Sequence, residues 1–281
     1  MLNRIFTGII LVSFFITLLL YGSGLIIASL FSIISIYAFY EWLKICKTTN
    51  KDIFTLISFA LIMMTIFLLY YTHPVIIFLA YASIFIWLLI LFDLLYGLNI
   101  YIRTLKTCPK AMGLVFILTT WILFISLGNT TNSEILSYDY LLFSNSEPFY
   151  ISQYYLFLIA LVSLTDMSGF FVGKLVGNRK LSPIISPNKT IEGFVASILI
   201  PVIAFYITFT YIFTVTIFLE DIFYMLICCI FCTVGDLFVS SYKRLYEVKD
   251  SGKLLPGHGG VLDRLDSYLP TIAILHIWLF L

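Results

Sequence analysis

Apolar residues run along this chain in blocks rather than in alternating stripes. Stretches of about 18 or more recur throughout, long enough at roughly 1.5 Å per residue to cross a hydrocarbon core about 30 Å thick. Nine stand out, at about 5–22, 24–42, 53–71, 74–97, 111–128, 153–175, 193–218, 222–241 and 262–281. They predict an all-α polytopic membrane protein of about nine transmembrane helices. The first block follows Arg4 and has the outline of a signal peptide. Tyr21–Gly24 leads straight into another block, so the segment is read as a retained helix.

The basic residues test this count independently. All 16 Lys and Arg fall in five places: Arg4; Lys44, Lys47 and Lys51; Arg103, Lys106 and Lys110; Lys174, Arg179, Lys180 and Lys189; and Lys243, Arg244, Lys249, Lys253 and Arg264. The intervening loops carry none, but hold Glu134, Asp139, Glu147, Glu220 and Asp221. With nine spans, the basic places are the N-terminus and every second loop. The positive-inside rule then predicts a cytoplasmic N-terminus and an outer C-terminus. A net charge of only +1 hides this asymmetry.

Composition agrees. The chain is 61% hydrophobic and 11% charged, with 27 Phe and 19 Tyr. Its mean hydropathy of +1.06 lies far outside the range of soluble domains. Cys229 and Cys232 have C-x-x-C spacing but lie inside an apolar block with no second pair, and read as small core residues rather than metal ligands. No internal repeat and no nucleic-acid signature is present.

Residues 1–150 read as a transmembrane scaffold. Their polar exceptions, Glu41 and Asp93, lie near the ends of apolar blocks and read as interfacial acids. Residues 151–281 read as the catalytic part of one continuous membrane domain, with polar chemistry in three segments. In 165–193, Asp166 lies mid-span, about 12 Å of helix before Lys174, where a carboxylate marks a function or a buried partner. Gly169, Gly173 and Gly177 follow at four-residue spacing, which allows close helix approach. Ser186, Lys189 and Thr190 then precede a helix start, where hydroxyls, backbone N–H groups and an ammonium suit a phosphate, or simply cap a basic loop. In 234–252, Asp236, Ser240 and Lys243 share one helix face, with Arg244 beside them.

The third segment, 254–267, combines His258, Arg264, Asp263 and Asp266 with Gly257, Gly259 and Gly260. Residues 268–281 alone make about 21 Å of helix, too short to span, whereas 262–281 make about 30 Å. Length therefore predicts that Asp263 and Asp266 occupy the first turns of the ninth span, on one face, where the helix dipole favours carboxylates. Pro270 argues against a regular helix there. The three glycines are expected to let backbone approach a ligand closely. Carboxylates on two helices with Lys and Arg between them suit Mg²⁺, which takes one or two carboxylates plus waters and phosphates. Phosphate chemistry at a lipid interface is the leading expectation.

The run Ser240-x-x-Lys243-Arg244-x4-Lys249-Asp250-x-Gly252-x2-Leu255-Pro256-x-His258-Gly259-Gly260-Val261-x-Asp263-Arg264-Leu265-Asp266 resembles the signature of phosphatidate cytidylyltransferases, also called CDP-diacylglycerol synthases. Gly235-Asp236-Leu237 and Ser186-Pro187-Asn188-Lys189-Thr190-x-Glu192-Gly193 are similar to further family segments. The likeness covers about 165–268 in detail. It implies Mg²⁺-dependent transfer of CMP from CTP to phosphatidic acid, releasing pyrophosphate, by a multi-pass protein of the cell membrane that acts as a homodimer and faces the cytoplasm. It also implies Asp236 and Asp263 as metal ligands, with Asp266 nearby. Lys243, Arg244, Lys249 and Arg264 are implied phosphate partners, Asp250 an orienting acid, and His258 a phosphate contact or a cap of the glycine loop. Asn188 stands where a second Lys is common and Val239 where an acid is common, so neither position carries a role forward.

Two other readings compete. A CTP-dependent lipid-alcohol kinase shares the nucleotide and the membrane, but the intact signature argues against it. An ion-coupled transporter would use Asp166 and Asp236, yet lacks an evident inverted repeat and leaves the cytoplasmic cations and glycines unexplained. A CDP-alcohol transferase lacks its expected Asp-Gly-x2-Ala-Arg run.

Overall fold

A computed structural model describes residues 24–46, 73–128, 150–212, 216–252 and 259–280, together with Thr17, Leu254 and positions between 55 and 63. The predicted spans at 5–22 and most of 53–71 lie outside the described residues. The helices are α1 (Gly24–Ile45), α2 (His73–Tyr96), α3 (Ile100–Thr107), α4 (Pro109–Gly128), α5 (Tyr150–Val176), α6 (Ile191–Ile207), α7 (Leu219–Leu245), α8 (Leu262–Leu265) and α9 (Tyr268–Phe280). Six of these segments are long and apolar enough to cross a membrane: Ile26–Ile45, Val75–Tyr96, Pro109–Leu127, Tyr154–Val176, Ile191–Ile212 and Leu219–Leu245. They coincide with six predicted blocks, and the chain is a multi-pass membrane protein. On α2, Phe78, Phe85 and Phe92 recur every seventh residue and are all exposed, as a lipid-facing stripe requires.

Two elements depart from the predicted all-helical pattern. An antiparallel hairpin, β1 (Lys180–Ser182) and β2 (Ser186–Thr190), occupies the loop between α5 and α6. Its five-residue strand contains Pro187, which a two-stranded edge tolerates. Between the predicted spans, α3 is a short amphipathic helix that buries Tyr101 and Leu105. The Asp93 carboxylate accepts from the Tyr101 backbone N–H at 2.7 Å, so this acid supports the first turn of α3.

The ninth predicted span is not one helix. It divides at Asp266–Ser267 into the single turn of α8 and the 13-residue α9. Pro270 supplies the reason: it has no N–H to give the Asp266 carbonyl, and its ring crowds that carbonyl. The Ser267 N–H instead bonds the Asp266 side chain at 2.8 Å. At roughly 1.5 Å per residue α9 is about 20 Å long, too short to span alone. It does not need to: Ile272, Ala273 and Leu275 are fully buried, and α9 packs against α2, α4, α5 and α7. The length argument therefore fails, because α9 is the core of the bundle rather than a lipid-facing span.

Helix α7 crosses the same core. Phe238 is fully buried, with its ring edge-on to Trp87 and Phe116 at 5.2 and 4.9 Å. One turn later Tyr242 stacks on Trp42 of α1 at 3.9 Å and donates its hydroxyl to the Trp42 carbonyl at 3.0 Å. Trp42 Nε1 in turn donates to the Pro109 carbonyl at the start of α4. Buried aromatic pairs of this kind add about 0.5–1.5 kcal/mol each beyond their area. They fix α7 against the N-terminal helices.

Small residues set the remaining spacings. Helices α5 and α6 share the most extensive interface, and a Cβ on Gly193 would stand 2.6 Å from the Gly169 carbonyl oxygen, as the four-residue glycine spacing predicts. Gly235 of α7 lies against the Asp266 carbonyl and the Pro270 ring, leaving no room for a side chain. Gly235→Val should thus push α7 away from the α8–α9 break. Overpacking of this kind costs roughly 1–3 kcal/mol, and a lowered unfolding midpoint of the purified protein in detergent is the expected readout. An unchanged midpoint would contradict the close approach.

Candidate active site

At the end of the bundle where α7 meets the hairpin, one cavity of about 1360 Å³ opens. Five pieces of chain converge on it. Helix α5 supplies Asp166, the hairpin Lys189, α7 Asp236 and Lys243, the following loop Lys249 and Asp250, and the α8 region Asp263, Arg264 and Asp266. Thr190 also lines it. Ten chemistry-bearing residues singled out from the sequence therefore share one wall.

The shared face of α7 forms as its spacing predicts. Ser240 Oγ donates to Asp236 Oδ1 at 3.1 Å, one turn away. The other carboxylate oxygen of Asp236 pairs with Lys189 Nζ at 2.6 Å, which joins α7 to the hairpin. Lys243, a further turn along α7, reaches across to Asp263 Oδ1 at 2.6 Å. Asp263 Oδ2 accepts from the backbone N–H groups of Ser251 and Gly260 at 2.9 and 3.0 Å. Burial pushes the Asp263 carboxyl upward, but the Lys243 ammonium and these two donors outweigh it and hold the group below the usual carboxylate range. Asp263 is thus a fixed anion at neutral pH.

The helix start at Thr190 is a cap as well as a wall. Its Oγ1 accepts from the Gly193 N–H at 3.1 Å, and Glu192 accepts from the backbone N–H groups of Asn178 and Arg179. The loop is therefore held by its own polar groups, while Lys189 and Asn188 face the cavity.

Other predicted residues stand elsewhere. Arg244 points its Nε to the Ile185 carbonyl at 3.4 Å and ties the hairpin turn to α7, outside the cavity wall. Ser186 is in β2, in register with Ser182. His258 and Gly257 lie outside the described residues. Gly260 does not approach open space: its Cα faces the Ser251 hydroxyl and the Glu41 carboxylate. Val239, where an acid is common, is fully buried.

Glu41 is the residue the sequence reading passed over. It is 1% exposed, and its Oε2 accepts from the Ser251 hydroxyl and the Leu262 N–H, both at 2.8 Å. A buried acid in a span is a functional signal, but its place near the end of an apolar block gave Glu41 the reading of an interfacial acid.

Among the described residues, no group of three or more His, Cys, Asp or Glu side chains closes into a preformed metal cage. Mg²⁺ does not require one, since it retains waters and is usually held by one or two carboxylates with substrate phosphates. Asp236 and Asp263 are hard oxygen donors, each paired with one lysine ammonium in addition to its hydrogen bonds. That donor set fits such an ion.

Comparison with known proteins bears on the family to which the chain belongs. Over 128 residues the chain is 42% identical to a phosphatidate cytidylyltransferase of Staphylococcus saprophyticus, covering 45% of this chain and 49% of that protein. It is 43% identical over 131 residues to the Staphylococcus aureus (strain COL) protein of the same name, with the same coverage. The Staphylococcus haemolyticus protein is 42% identical over 136 residues. The chain thus spans about half the length of the curated relatives it matches. A family model covers nearly everything, from residue 2 to 281, and by that match the chain belongs to the cytidylyltransferase family.

Proposed function

We propose that this protein is a phosphatidate cytidylyltransferase, which joins the CMP of CTP to phosphatidic acid and releases pyrophosphate. One observation carries the reading: Asp236, Asp263, Lys189 and Lys243, drawn from three separate elements, meet on one cavity wall at the end of membrane-spanning helices. Such a cavity can receive a soluble nucleotide and a lipid headgroup together. The named relatives support the choice of substrates.

In the proposed reaction a phosphate oxygen of phosphatidic acid attacks the α-phosphorus of CTP. The bond from that phosphorus to the β-phosphate oxygen breaks, and pyrophosphate carries the electron pair away. The nucleophile is already anionic, so no general base is needed. Asp236 and Asp263, with Asp266 beside them, would hold Mg²⁺, which when bound offsets charge on the phosphates and the leaving group. Lys189, Lys243, Lys249 and Arg264 would hold two polyanions together against their repulsion, an electrostatic task suited to a preorganised pocket. Lys189 and Lys243, paired to the two carboxylates in the structure, lie close enough to them to serve phosphate beside a metal held there. Asp250 would orient Lys249 across the loop they share. Arg244 and Ser186 act by holding the hairpin turn that presents Lys189.

The decisive assay supplies CTP and phosphatidic acid in mixed micelles to purified protein and measures CDP-diacylglycerol with and without Mg²⁺. Product is expected only with the metal, and its absence from a folded preparation would overturn the reading. Asp263→Asn is expected to lose at least about a hundredfold in kcat, the scale seen when a group stabilising transition-state charge is removed. Full activity in that variant would remove Asp263 from the site.

The proposed orientation has a separate test. Cys108 is exposed in a loop of the basic side. A membrane-impermeant maleimide should modify it in inside-out vesicles and leave it unmodified in intact cells, whereas Asp139→Cys in a Cys108→Ser background should react in intact cells. The opposite pattern would invert the topology.

A further inference from the structure

Glu41 belongs to α1, in the half of the chain that reads as scaffold, yet its carboxylate sits inside the signature loop. A single oxygen, Oε2, takes hydrogen bonds from Ser251 at one end of that loop and from Leu262 at the other. Leu262 opens α8, the turn that carries Asp263 and Arg264. Ser251 does double duty: its hydroxyl goes to Glu41 and its backbone N–H to Asp263 Oδ2. Glu41 is therefore one bond removed from the carboxylate that Lys243 holds.

The backbone is shaped around this side chain. A Cβ on Gly252 would overlap Glu41 Oε1, and one on Gly260 would overlap Oε2 and the Ser251 hydroxyl. Two glycines of the signature thus make room for an acid that lies some two hundred residues earlier in the chain. The Glu41 backbone is itself fixed, since its neighbour Trp42 stacks on Tyr242 and bonds Pro109.

We infer that Glu41 is a positioning residue for the transfer reaction: its buried carboxylate clamps both ends of the signature loop and so sets where Asp263 and Arg264 stand. The inference rests on the proposed cytidylyltransferase activity for its kinetic consequences, and on geometry alone for its structural ones. A misplacement of about 1 Å at a reacting centre can cost on the order of a hundredfold in rate. A shifted α8 would cost rate more than nucleotide affinity, because Lys189 on the hairpin is held independently of it.

Two substitutions in the full-length protein separate the possibilities. Glu41→Gln keeps an oxygen that can accept both bonds and removes the charge. Glu41→Leu fills the space and leaves the Ser251 hydroxyl and the Leu262 N–H unpaired. Amide hydrogen exchange over 251–263, read by mass spectrometry, is expected to quicken at least about tenfold in the Leu variant and to stay near wild type in the Gln variant. On CTP and phosphatidic acid, kcat should fall about tenfold or more for Leu, with KM for CTP changed by less than about threefold, and Gln should recover most of the rate. Wild-type exchange in the Leu variant would overturn the clamp, as would a Gln variant as impaired as Leu. A Leu variant that quickens exchange over the whole chain while its folded fraction keeps the wild-type kcat would make the role merely structural, and would also overturn it. If the wild-type protein makes no CDP-diacylglycerol, the exchange comparison still decides the clamp, and the failure falls on the proposed activity.

Discussion

Charge matching inside an apolar bundle is the constraint on which this molecule depends. A carboxylate withdrawn from water costs several kcal/mol unless a partner compensates it. The pairs Lys189–Asp236 and Lys243–Asp263, each at 2.6 Å, supply that compensation, and neither pair is local in sequence. Each ties two elements together: the hairpin to α7, and α7 to α8. The ionic contacts that make the site tolerable are thus also the contacts that assemble it.

The apolar framework has to deliver those partners to within hydrogen-bonding distance. Gly235 and Pro270 do this for the acids. The missing side chain at Gly235 lets α7 touch the break between α8 and α9, and the proline makes the break. Asp236 and Asp266 then sit on either side of that contact and face one cavity. The glycine seam of α5 and α6 performs the corresponding task for Asp166 and the hairpin. Aromatic packing around Phe238 and Tyr242 keeps α7 from sliding along its neighbours.

Much of this was legible in the sequence, because membrane crossing imposes a length and polarity that few other constraints imitate. Six apolar blocks became helices, five of them within a few residues of their predicted bounds, while the span predicted at 193–218 ends at Ile212. The i, i+4 relation of Asp236 and Ser240 also survived intact, since helix geometry alone dictates it. What failed were inferences that needed three dimensions. A length rule for lipid-facing helices misread α9, which is sheathed by four other helices and escapes that rule. Of the glycines expected to approach a ligand, Gly259 lines the cavity whereas Gly260 lies against Glu41. Glu41 itself read as an interfacial acid because it lies near a block end, whereas its partners lie beyond residue 250 in sequence.

The charge on the cavity wall bears on the chemistry it can host. Lys174, Lys180, Lys189, Lys243, Lys249 and Arg264 line it, against Asp166, Asp236, Asp250, Asp263 and Asp266. Acidic and basic side chains are thus nearly equal in number along the wall. A site built only to trap an anion would not retain five carboxylates, since each cancels attraction that a phosphate could use. A site built only for a cation would not surround those acids with six basic side chains. The mixture makes sense for cargo that is itself mixed, a divalent ion together with two phosphate-bearing molecules. Under the proposed reaction, hard carboxylate oxygens would take the ion, and ammonium and guanidinium groups the phosphates. The lysine–carboxylate pairs compensate each set within the wall, and under the proposed reaction ion and phosphate entering together would part them without leaving an unpaired charge.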